Sequence, residues 1–82
     1  MRDKIQFEVV EHIATVAEYT GGEYALELNY ISFNGAPAKY DLRKWDKAAG
    51  RMLKGVTLSA EEAEAVAAAI KQHRDKEKLN GR

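Results

Sequence analysis

Eighty-two residues allow one small domain, 1–82, and a chain this short builds a thin core that commonly needs a partner to complete it. Cysteine is absent, so neither disulfides nor a thiolate-bound metal supplies that help. With 45% hydrophobic and 32% charged residues the chain is globular rather than disordered; it shows no signal peptide and no run near the ~18 apolar residues of a membrane span, so the expected address is the cytoplasm, with no membrane partner.

Charge cancels at 13 cations against 13 carboxylates, but it does so between segments. Residues 1–38 are acidic, whereas 39–58 hold Lys39, Arg43, Lys44, Lys47, Arg51 and Lys54 against Asp41 and Asp46. A cancelled total does not exclude a local basic stripe.

In chain order, Ile5, Phe7, Val9 and Ile13 alternate with polar neighbours, which predicts a first strand over about 4–18 with one buried face. Glu11 interrupts that face and predicts a bend or bulge beside it. Thr20-Gly21-Gly22-Glu23 reads as a hairpin turn. A second strand follows over 24–34, with Leu26, Leu28 and Tyr30 on one face and Glu27, Asn29, Ile31 and Phe33 on the other. Asn34-Gly35 and Pro37 mark the next reversal.

The third strand, 39–46, divides by the same parity. Tyr40 and Leu42 share the face that a core wants, while Lys39, Arg43 and Trp45 share the other. An aromatic plane beside cations suits an unpaired nucleic-acid strand, because the ring takes a base and the cations follow phosphates. The same Trp45 would serve equally well as the edge of a core roofed by Lys and Arg stems. The residues alone leave both readings open.

A loop over 46–51 then carries Lys47 and Arg51 as mobile charges about Gly50. The fourth strand, 52–58, directs Val56 and Leu58 to the core side, and parity sends Lys54 there too. A bulge or close approach at Gly55 would instead turn Lys54 outward, so its facing stays open. Ser59 and Glu62 form a capping box that opens a helix over 60–78, in which Ala63, Val66, Ala67 and Ile70 recur at helical spacing. Asn80 to Arg82 read as a frayed end. The stripe is narrow and small, and it predicts packing on the chain's own sheet and along the same helix of a second copy, a homodimer; a surface helix over a monomeric sheet is the alternative.

KYDLRKW and, after a short loop, KGVTLSAEE resemble the bacterial YdbC-like proteins, a branch of the fold of the eukaryotic transcriptional positive cofactor four. The resemblance covers nearly the whole chain and is most specific between Lys39 and Glu62. It implies an α+β fold: a four-stranded curved antiparallel sheet followed by one C-terminal helix, in a homodimer that binds single-stranded DNA. It puts Arg43, Trp45 and Lys54 on the binding face, with Phe33 as a second stacking ring and Asn29 and Tyr24 at matching positions. Phe33 stands where the nearest members are expected to carry a larger aromatic.

Chemistry of other kinds finds no support. His12 and His73 lie far apart in sequence and read as solvent-facing. Glu61, Glu62 and Glu64 are explained by the helix start. No nucleophile elbow or phosphate loop is present, so no catalytic residue, metal or cofactor is expected. The leading function is single-strand binding with little sequence specificity, serving transcription regulation or DNA maintenance. An RNA-binding protein and a protein-interaction module using the same face are the alternatives.

Overall fold

The computed structural model describes residues 6–79. Four strands, β1 (Phe7–Tyr19), β2 (Tyr24–Phe33), β3 (Lys39–Asp46) and β4 (Arg51–Leu58), precede one helix, α1 (Ala60–Leu79). The strands form an open antiparallel sheet in the order β1-β2-β3-β4, which is the expected four-stranded sheet with a C-terminal helix. Ile5, taken above as part of the first strand, and Asn80 to Arg82 lie outside the described residues.

Local chemistry sets the reversals. A short 3-10 turn at Thr20–Gly22 joins β1 to β2, with Thr20, Gly21 and Gly22 all at positive φ. Asn34 (φ 53°) and Gly35 (φ 79°) make the second turn, closed by the Ala36 N–H donating to Phe33 O at 3.0 Å. Positive φ at both central residues is what a tight hairpin needs and what Asn-Gly tolerates. The capping box forms as expected: Glu62 N–H donates to Ser59 Oγ at 3.1 Å, and Ser59 N–H donates to Glu62 Oε1 at 2.9 Å.

β1 is bulged three times. Its register against β2 slips between Val9 and Glu11, between His12 and Ala14, and between Thr15 and Ala17, leaving Val10, Ile13 and Val16 as the extra residues. The expected bulge beside Glu11 is the first of these. Ile13 is therefore a bulge residue, and no continuous buried face runs from Phe7 through it. Each bulge bends the strand and adds twist, so the sheet curls.

Residues directly opposite one another in a sheet share a face. The register thus groups Ala25, Glu27, Asn29, Ile31, Lys39, Asp41, Arg43 and Trp45 on one side, and Leu26, Leu28, Tyr30, Tyr40, Leu42, Val56 and Leu58 on the other. The parity matches the sequence, but the burial reverses it. The well-buried residues are Ala25, Ile31, Trp45, Glu27, Asn29 and Asp41, all on the concave first face. None of the leucines opposite is fully buried. Curling closes the concave side over itself, while the leucine face is left half open.

α1 covers little of the sheet. It packs only against β3 and β4 and has no buried residue. Val66 and Ile70 are exposed, Ala67 likewise, and Ala63 is half buried. The expected packing of the helix along its own sheet is thus slight.

Candidate nucleic-acid interface

The concave face holds two adjoining hollows, separated by the contact of Phe7 with Trp45. These rings meet edge to face with centroids 5.8 Å apart, and Phe7 lies 6.5 Å from Phe33 on its other side. One hollow, of about 600 Å³, is walled by Phe7, Phe33, Arg43, Arg51, Met52 and Thr57. The second, of about 400 Å³, is walled chiefly by Val9, His12, Glu27, Asn29, Trp45 and Lys47.

Trp45 sits where parity put it, beside Arg43, but it is not an open platform. It is only 7% exposed, roofed in part by Phe7, so its expected role as a stacking surface is corrected to that of a core ring. Its Nε1–H is buried without an acceptor among the described residues. The accessible ring is Phe7, 41% exposed, with the half-buried Phe33 beside it. Sequence reading assigned Phe7 to a buried strand face and missed it as a site residue. The cue was its place opposite Phe33, which only the register supplies.

The cations are more engaged than their spacing suggested. Arg43 is clamped on the fully buried Asp41, its Nε and Nη2 donating to the two carboxylate oxygens at 2.9 and 2.7 Å, and its Nη1 donates to Leu53 O at 3.0 Å. It is a structural cation, not a free phosphate contact. Gly55 makes that path possible, since a Cβ there would stand 2.5 Å from Arg43 Cβ. Both the bulge and the close approach expected beside Gly55 are present: the β3–β4 register slips at Leu53 and Lys54, and Gly55 gives room to Arg43. Lys54 borders a hollow with Leu26, Leu42 and Lys44 on the leucine face, which removes it from the expected binding surface. Tyr24 pairs with Tyr19 and Asp46 on that same side, so it too leaves the site.

Lys47 reaches the concave rim, its Nζ donating to Glu27 Oε2 at 2.6 Å; Arg51 is opposite Asp46 in register, on the leucine side, and donates to it at 3.4 Å, yet its exposed side chain also borders the aromatic hollow. Lys39 shares the face, is exposed, and has no carboxylate partner among the described residues. Asn29 is on the expected face but only 1% exposed, held within a chain of hydrogen bonds.

That chain runs in one direction. Asn29 Nδ2 donates to Glu27 Oε1 at 3.2 Å, so Asn29 Oδ1 must accept from His12 Nδ1 at 2.7 Å. His12 Nε2 then lies 3.3 Å from Thr15 Oγ1. His12 is therefore a tethered residue rather than a loose surface histidine. Burial by itself would raise the Glu27 carboxyl. Hydrogen bonds from Lys47 and Asn29, with the charges of Lys47 and a protonated His12, outweigh that and hold it below the ordinary carboxylate range.

No group of three or more His, Asp or Glu side chains among the described residues is arranged to hold a metal ion. No helix there is long and apolar enough to cross a membrane.

The fold and face together define a small α+β protein with a curled antiparallel sheet and a concave aromatic and charged surface. No family model matches the chain. An uncharacterized protein of Treponema pallidum (strain Nichols) is 40% identical over 62 residues, which is 76% of this chain and 72% of that protein. The chain belongs to the family of that protein.

Proposed function

We propose that the chain binds single-stranded DNA as a homodimer, on the concave face of each sheet. The observation that carries this reading is the open Phe7–Phe33 pair flanked by Arg51, with Lys39 on the same face. Rings of this kind take bases on their flat faces, at roughly 1 to 3 kcal/mol each, and nearby cations address the backbone. Stacking uses a surface that every base has, so these contacts carry little sequence preference. RNA offers the same bases and phosphates, and transcription regulation or DNA maintenance is the setting that the resemblance to YdbC-like proteins suggests.

The homodimer is supported by what one chain leaves uncovered. A half-open leucine face and a helix with no buried residue fit a second copy related by a twofold axis.

A second reading, a protein-interaction surface, is favoured by the pairing of Arg43, Lys47 and Arg51 with carboxylates, which lowers the positive field. Salt separates the two. Titration of labelled single strands should show affinity falling steeply with salt, as phosphate contacts release counterions. Phe33→Ala should weaken binding by about 1 to 3 kcal/mol. Binding that ignored both salt and Phe33→Ala would end the single-strand reading.

A further inference from the structure

The aromatic pair does not account for the second hollow, whose wall is polar and unusually well ordered for a surface. The Thr15–His12–Asn29–Glu27–Lys47 chain fixes each of its members by a partner, and beside it stands Trp45, which lines the hollow and whose Nε1–H has no acceptor among the described residues.

We infer that this hollow seats one unpaired guanine of the bound strand, its hydrogen-bonding edge read by Glu27 and Lys47. The inference rests on the single-strand reading above. About 400 Å³ is room for a single base. The chemistry of the wall then selects among bases. The carboxylates Glu18 and Glu27 line the hollow and only accept when ionised, whereas Lys47 Nζ only donates.

Guanine alone among the four DNA bases sets two donors side by side, N1–H and the N2 amine, next to an acceptor, O6. The two donors suit a carboxylate, and O6 suits Lys47. Adenine and cytosine would turn a ring-nitrogen acceptor toward the carboxylate, and thymine offers one donor between two carbonyls. Lys47 is the adjustable part of the seat. Its backbone N–H is anchored on Glu23 O at 2.8 Å while its side chain is 46% exposed, so Nζ can pass from Glu27 to O6 without moving the strand.

The test uses the intact protein and oligothymidylates of one length at one salt, carrying at the centre thymine, guanine, adenine or hypoxanthine, which lacks the N2 amine. A labelled strand reports affinity and the single tryptophan reports occupancy of the hollow. One guanine should tighten binding at least about fivefold over thymine or adenine, hypoxanthine should lose most of that gain, and the guanine strand should change Trp45 emission most. Glu27→Gln should bring the guanine-to-thymine ratio near one. Should that variant fail to fold, the base series on the unaltered protein decides by itself. Equal affinity for all four strands overturns the guanine seat and leaves the single-strand reading intact, as does a guanine preference that survives in folded Glu27→Gln. Absence of binding to every strand overturns both.

Discussion

Arg43 and Asp41 lie two residues apart on β3 and face the same side, with the guanidinium folded back to grip both carboxylate oxygens at 2.9 and 2.7 Å. Thr57 Oγ1 also donates to Asp41 Oδ2, at 2.9 Å. The strand with the most cations thus spends the central one on a carboxylate at 0% exposure. Removing one partner of such a pair strands the other as a buried, uncompensated charge.

Gly55 tests the space that pair requires. A methyl group there would meet Arg43 Cβ at 2.5 Å and Arg43 Cα at 2.8 Å, and a backbone atom cannot swing aside as a flexible tip can. Gly55→Ala should cost about 1 to 3 kcal/mol, read as a lower denaturation midpoint with unchanged denaturant slope. A midpoint equal to that of the unaltered protein would show that β3 and β4 separate more easily than their packing implies.

Trp45→Ala should act on stability. Deleting a buried ring of this size costs about 3 to 5 kcal/mol, enough to unfold a marginal domain of this length. Phe33→Ala should instead weaken binding with a smaller thermal shift. If Trp45→Ala melted like the parent, the ring would not be part of the core.

Glu27 should give the fold an acid-sensitive component. Its carboxyl is held below the ordinary range in the folded chain; such a group stabilises the fold at pH above its unfolded value, and the contribution is lost as pH falls through the folded value. Stability measured from about pH 6 down to about pH 3 should fall, and Glu27→Gln should fall less over the same window. Parallel curves for the two proteins would remove Glu27 from the account.

Ala67→Glu addresses the second copy. Ala67 is exposed on α1 between Val66 and Ile70, so a carboxylate there harms nothing within one chain but would enter the contact of two. Sedimentation should find a dimer for the parent at micromolar concentration, and monomer or unfolded chain for the variant. A monomeric parent would overturn the homodimer.

Much of the fold could be read from residue order. The Asn34-Gly35 turn, the Ser59–Glu62 box and the alternation in β2 and β3 are local, and their elements lie within a few residues of the expected bounds. What was not local was not legible. Arg43 looks free until Asp41 is seen to be buried beside it, and Lys47 and Glu27 are 20 residues apart. Which face of the sheet closes depends on curvature, and curvature comes from three bulges in β1 and a fourth between β3 and β4, whose spacing follows no simple alternation. Leucine count therefore pointed to the wrong side as the better buried one, and Phe7 gained its place in the site only through its register with Phe33.

Those bulges have a further consequence, for colloidal behaviour. β1 is an edge of the sheet, and a straight edge exposes a regular ladder of unpaired amides on which a foreign strand can grow. Slips after Val9, His12 and Thr15 break that ladder at every third residue. A thirteen-residue strand rich in valine would otherwise invite fibre growth, yet this one offers a newcomer no stretch long enough to match.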